Sequence, residues 1–229
     1  MHGLINRSIQ CFLRDTYGAQ VWADISAATG IGAEGFEALQ EYDDALTDAV
    51  LDAAALRLAR SRDALLEDLG TWLIFGQGLG WLRRLLRFGG AGFVDFLHSL
   101  DDLPDRARLA LPDLVLPRLE VAEHSANRFT ITARGGWPGV GLVLMGALRA
   151  MADDYGALAI LEHEGQAFDP AGGAERVCIE LLDQSFAEGR RFRLAGYRSV
   201  QGATEVSAEI AGLGSGPDPG QGPLPEAGP

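Results

Sequence analysis

The chain has 229 residues, 47% hydrophobic and 22% charged, which is the composition of a folded globular protein long enough to bury a sizeable core. Thirty-two acidic residues against 19 basic ones leave a formal net charge of −13, which argues against nucleic-acid binding, because phosphate contacts dominate that affinity. No apolar run approaches the roughly 20 residues that cross a bilayer, and "MHGLINRSIQ" lacks the apolar region of a secretory leader, so a soluble cytoplasmic protein with small-molecule or protein partners is expected.

Residues 4 to 17 carry Leu4, Ile5, Ile9, Phe12, Leu13 and Tyr17 at helical spacing, and Gly18 closes the stripe. "AQVWADISAATG" predicts a second helix, again stopped by glycine. Residues 34 to 59 give two further helical patterns, the later one with an Asp/Thr cap signal and an alanine-rich face. "SRDALLEDLGTWLIFGQGL", with Ser61 as N-cap, and "GWLRRLLRF" continue the series. "FLHSLDDLPDRARLALPDLVLPRL" starts as an amphipathic helix, yet places Pro104 where the pattern still asks for helix.

After Pro117 the texture changes. "RLEVAEHSANRFTITARG" alternates as a hairpin, with Leu119, Val121 and Ala122 on one arm, Phe129, Ile131 and Ala133 on the other, and "HSAN" as the turn. "GVGLVLMGALRAMADDYG" returns to helix. "ALAILEHEGQAF" and "ERVCIELLDQSF" form a second strand pair joined by "DPAGGA". Helices, two strands, a helix and two strands make an α+β protein. From Gly212 the Gly/Pro-rich composition predicts a disordered tail.

Fragments that suggest chemistry fail on inspection. "GQGLG" and "GVG" are not the GxGxxG of a βαβ unit, and no glycine run leads into GK[ST]. His163 in "LEHEGQ" lacks the second histidine of HExxH, so a solvated strand edge is expected there. No serine stands in a GxSxG elbow. Cys11 and Cys178 have no metal spacing and are expected as buried free thiols. No catalytic constellation is visible, so no enzyme is expected.

One ordered series is more informative: "MHGLINRSIQCFLRDTYGAQVWADI", "YDDALT", "FLHSLDDL", "LPDLVLP" with Pro112 and Pro117, and "TITARGG". Together they resemble the haem-nitric-oxide/oxygen-binding family, the H-NOX domains that sense gases in soluble guanylate cyclases and in bacteria. The resemblance covers roughly residues 1–186 as a ligand-binding domain, followed by an uncertain extension, 187–211, and the tail, 212–229. It implies the H-NOX fold: a helical N-terminal part, then an antiparallel sheet with a long helix inserted between strand pairs.

In that family the haem iron is held by a histidine three positions after the aspartate of FL-x-x-LD. Here that position is Pro104, which has no donor atom, so the resemblance implies that haem ligation by histidine is lost and that no metal is bound. His98 is no substitute. On a continuous helix six residues turn through about 600°, which sets His98 about 120° from Pro104. It then shares a side with Asp95, Asp101 and Asp102, as a solvated, carboxylate-paired residue. His2 is the remaining candidate for a non-standard haem ligand.

The family's Y-x-S-x-R signature grips the haem propionates and falls here on Thr130, Thr132 and Arg134, a weakened carboxylate site. Arg134 has a plain alternative role as a residue closing a strand before two glycines. By the same resemblance the pocket walls are Ile5 and Ile9, then Leu73, Gln77 and Trp81. Leu100, Pro104, Leu116 and Pro117 line the proximal side, and Val143 and Leu144 come from the late helix. The position of the distal oxygen-binding tyrosine falls near Gly139, so no hydrogen bond to oxygen is expected. Either Trp72, Phe75 and Trp81 fill the cavity, or another hydrophobic carboxylate occupies it, such as a fatty acid or an unligated tetrapyrrole, with a signalling protein as the partner. A ligand-free protein-interaction domain is the other expectation.

Overall fold

The computed structural model describes residues 1–32, 34–76, 80–110, 114–167 and 173–190. Its elements run α1 (Gly3–Tyr17), α2 (Ala19–Thr29), α3 (Asp44–Leu58), α4 (Arg62–Phe75), α5 (Gly80–Arg87), α6 (Phe93–His98), α7 (Leu103–Ala110), β1 (Arg118–Ser125), β2 (Arg128–Arg134), α8 (Val140–Tyr155), β3 (Leu158–Ala167) and β4 (Ala174–Asp183). The expected α+β order holds. Gln77, Pro112, most of the "DPAGGA" link and everything from residue 191 lie outside the described residues.

Side-chain caps set several boundaries. Asp43 accepts the Ala45 N–H at 2.9 Å and Ser61 the Ala64 N–H at 3.2 Å, so the predicted caps of α3 and α4 are in place. The helix expected in the thirties is absent. Between α2 and α3 the chain spends its backbone groups on α1 instead: Phe36 N–H goes to Gln10 Oε1 at 2.9 Å, and Gly3 N–H goes to Gln40 O at 2.7 Å. A residue whose donors are taken by another segment gains nothing from helical turns.

The strands form one antiparallel sheet in the order β1-β2-β4-β3. The β1–β2 hairpin is tighter than expected, since both strands continue until only Ala126 and Asn127 turn. Phe129, Ile131 and Ala133 are buried on the inner face as predicted, whereas Ala122 is exposed on the outer one, because side chains alternate and Leu119 and Val121 take the inner positions.

Two hydrophobic cores result. The first gathers Ile9, Phe12, Leu13, Trp22, Ile25, Phe36, Val50 and Leu51 around Leu65, Leu66 and Leu69 of α4. The second places Phe93, Phe96, Leu97 and Leu100 and, from α8, Met145, Leu148 and Met151 on the inner face of the sheet. Each fully buried leucine or phenylalanine contributes about 1.5–3 kcal/mol. Helices α4 and α8 serve both cores, Ile74 of α4 packing in the second and Val143 of α8 in the first.

Those two helices meet through glycines. A Cβ on Gly70 would overlap the Val143 carbonyl, and one on Gly146 would overlap the Glu67 carbonyl. Thr71 Oγ1 donates to Gly146 O at 3.3 Å across the crossing, and Arg149 pairs with Glu67 beside it.

Helix α6 ends at His98 and α7 begins at Leu103, so residues 96–110 are not the continuous helix that the spacing suggested. Ser99 Oγ donates to Phe96 O at 2.7 Å, Arg106 Nη2 donates to Ser99 O at 2.7 Å, and the Asp101 carboxylate accepts the Val121 N–H of β1 at 2.8 Å. These contacts close the turn, and Pro104 follows as the second residue of α7, where a missing N–H costs little.

Gly146→Ala is therefore expected to force α4 and α8 apart and lower stability by about 1–3 kcal/mol in urea unfolding. An unchanged midpoint would show that the crossing tolerates a side chain.

Candidate functional site

The apolar residues before the proximal position pack into the second core. Phe96, Leu97 and Leu100 are core residues, while Pro104 is half-buried at the start of α7. His98 is 48% exposed, as its expected role required. Its partner differs: Nε2 lies 3.1 Å from Glu123 on β1, and the ring meets Phe129 edge-on at 5.8 Å. The helix break explains the change, since Asp101 is committed to β1 and Asp95 accepts the Gly92 N–H at 3.2 Å.

The other histidines are also engaged. His2 caps α1, its Nδ1 accepting the Leu4 N–H at 3.1 Å. His124 Nε2 lies 2.8 Å from Thr130 Oγ1. His163 does lie on an edge strand, but it is not solvated: it is 18% exposed on the inner face, with Nε2 3.1 Å from Glu175. Among the described residues no group of three or more His, Cys, Asp or Glu side chains could hold a metal.

Thr130, Thr132 and Arg134 do share one face, but strand alternation turns it away from both cores, because Phe129, Ile131 and Ala133 point inward. Arg134 Nε donates to Glu120 on β1 at 2.9 Å. Thr130 borders a cavity of about 350 Å³ on this outer face, with His124, Arg128, Ile160, Glu162, Cys178 and Glu180 also around it.

The predicted pocket walls are divided. Ile5, Ile9, Leu73 and Val143 belong to the first core, Leu100 and Leu144 to the second, and Leu116 and Pro117 are half-buried before β1. Trp81 lies in α5. Ile5, Ile9, Leu73, Leu100, Leu116, Pro117, Val143 and Leu144 are not among the residues around the outer cavity. Trp72 packs on Phe12 with ring centroids 6.1 Å apart in the first core, and Phe75 packs against the second.

A buried polar site that no sequence motif marks lies at the start of α8. Glu175 is 5% exposed, and its carboxylate accepts the Gly139 N–H at 2.6 Å and the Gly141 N–H at 2.8 Å while facing His163. A buried carboxylate at the positive end of α8 is favourable both as a hydrogen-bond acceptor and as a charge. Gly141 is required by that approach, since a Cβ there would lie 2.6 Å from both Glu175 Oε2 and His163 Nε2. Parity was the available signal: Glu175 falls in step with Val177, Ile179 and Leu181, a charged residue on a buried row.

Both cysteines are free. Cys11 is buried, whereas Cys178 is only half-buried on the outer face, 3.6 Å from Thr130 Oγ1. Burial pushes both thiols up, and a hydrogen bond to Glu164 adds to the effect at Cys178. Neither is a poised nucleophile.

The model of the Haem-NO-binding family matches residues 2–162. Soluble guanylate cyclase 89Da of Drosophila melanogaster is 23% identical over 195 residues, 85% of this chain and 29% of that protein. Soluble guanylate cyclase gcy-31 of Caenorhabditis elegans is 23% identical over 154 residues, 67% of this chain and 22% of that protein. The chain thus spans less than a third of the length of these relatives. Among solved structures, the I5F mutant of T. Tengcongensis H-NOX superposes with a TM-score of 0.66 at 16% identity, covering 81% of this chain and 100% of its own. An oxygen-binding H-NOX domain related to soluble guanylate cyclases gives 0.61 at 16%, with 83% and 100% covered. The fold is that of H-NOX domains.

Glu175→Ala should strand two helix amides and lower stability by about 2–4 kcal/mol, with Glu175→Gln costing less because one acceptor oxygen remains. Equal urea midpoints for all three proteins would contradict this role. At pH 8 both thiols should alkylate more slowly than a free thiol, Cys11 only on unfolding; mass spectrometry showing fast labelling of either in native protein would contradict the burial.

Proposed function

Because the chain belongs to the haem-NO-binding family, we propose that it is a sensory domain of that family which works without histidine-ligated haem and passes changes in helix packing to a signalling partner. Pro104 carries the reading: at the position of the family's axial histidine stands a side chain with no atom to give to iron. The histidines that are present are engaged elsewhere in the fold. His98, His124 and His163 have Glu123, Thr130 and Glu175 as partners, and His2 commits Nδ1 to the helix cap. The propionate grip is weakened as well, since Arg134 is paired with Glu120.

The wall residues support a filled interior more than an open pocket, for Ile9 and Leu100 are each 1% exposed and pack in separate cores. A second reading keeps a hydrophobic carboxylate ligand, a fatty acid or an unligated tetrapyrrole. It is favoured by Thr130, Thr132 and Arg134 sharing a face next to the outer cavity. In either case we assign the chain binding and relay, and no catalysis. Cyclase activity belongs to the whole relatives. Among the described residues no helix is long and apolar enough to cross a membrane.

The absorption spectrum of freshly purified protein, and of protein mixed with hemin, decides the main point. No Soret band is expected in either. A stoichiometric Soret band would overturn the reading, and its loss in His2→Ala would place the ligand at the N-terminal cap. Native mass spectrometry separates the two readings: a co-purifying hydrophobic acid that disappears in Arg134→Ala would establish the second.

A further inference from the structure

A buried ionic cluster stands at the C-terminal end of α8. Asp154 is fully buried there, where the helix dipole disfavours an anion and desolvation disfavours any charge. Helix α5 supplies the compensation. Arg83 Nε donates to Asp154 Oδ1 at 2.8 Å, and Arg87 Nε lies 3.5 Å from Oδ2. The Arg87 guanidinium also covers the Tyr155 ring at 4.0 Å, and Tyr155 donates its hydroxyl proton to Gly90 O at 3.2 Å. The seat of α5 on the second core is thus tied to one carboxylate.

The same residue holds a different segment through its backbone. After β4 the chain folds back: Ala187 N–H donates to Gly156 O at 3.0 Å, and Arg190 N–H donates to Asp154 O at 2.9 Å. Arg87 Nη1 reaches that same Asp154 carbonyl at 3.5 Å. Gly189 lies so close to the helix end that a Cβ would stand 2.7 Å from Tyr155 O and 2.9 Å from Asp154 O. The Arg190 guanidinium lies 4.0 Å over the ring of Phe75, the last residue of α4. One carbonyl oxygen therefore takes a donor from α5 and a donor from the returning segment.

We infer that Asp154 is a coupling point between α5 and residues 187–190, so that displacement of either loosens the other. The family fold does not by itself require this, and the inference holds whichever ligand the domain takes. The physical basis is shared anchorage. If α5 shifts, the buried carboxylate loses its compensating charge and the end of α8 must move toward water, which removes the acceptors of Ala187 and Arg190. If residues 187–190 lift, Phe75 loses its stacked cation, and the Asp154 carbonyl loses the donor that fixes it opposite Arg87. Coupling free energy is reciprocal, so both directions must appear.

Hydrogen exchange on the full chain, read by mass spectrometry, tests this with two variants. Arg190→Ala changes an exposed residue, and its fold is first checked by circular dichroism. It is expected to speed exchange of the Ala187 and Arg190-position amides about two- to five-fold and to speed those of α5 residues 84–87 as well. Arg83→Gln is expected to do the converse, loosening α5 and with it the amides at 187 and 190. The inference is overturned if each variant loosens only its own segment, or if the amides at 187 and 190 exchange freely in the unmodified protein.

Discussion

The crossing of α4 on α8 is the constraint from which the other features follow. With glycine at both contact points the backbones approach until main-chain carbonyls face bare Cα atoms. The larger side chains then lie on both flanks of the contact, and Thr71 bonds across it. Leu65, Leu66 and Leu69 therefore reach one core while Ile74 reaches the other, and on α8 Val143 divides from Met145 and Leu148 in the same way. The two shared helices thus tie the two cores together.

Helix α8 is fixed at both ends by buried carboxylates of opposite electrostatic standing. At the N-terminus Glu175 arrives from β4 and works with the helix dipole, needing only amides and one imidazole. At the C-terminus Asp154 works against the dipole and is tolerable only with the α5 arginines beside it. The first arrangement is self-sufficient. The second makes α8 depend on the position of another helix, which is the kind of dependence that lets a fold respond rather than merely stand.

Most elements were legible because their signals are local. The α1 stripe, the Asp43 and Ser61 caps and the inward row Phe129, Ile131 and Ala133 each follow from a few neighbouring residues. The segment around Phe36 was not, since what denies it a helix is Gln10, 26 positions away. His98 was read correctly as a surface residue but on a helix that does not continue. The turn at Ser99–Asp102 depends on Val121 of a strand not yet reached. The candidate site fared similarly. Pro104 is visible as a departure from a family pattern. The burial of Glu175 and Asp154 comes from partners distant in sequence, for which a single acidic letter carries no mark beyond its parity.

The Asp101 contact with β1 has a consequence for assembly. β1 and β3 are the outer strands, and an outer strand with open amides is a template on which another chain can extend the sheet. On β1 the Val121 amide is already occupied by the Asp101 carboxylate, near the middle of the strand. An incoming strand at that edge would meet an acceptor where it needs a donor, and a negative charge besides. Growth of the sheet by strand addition at β1 is thus opposed by a contact that also closes the turn between α6 and α7.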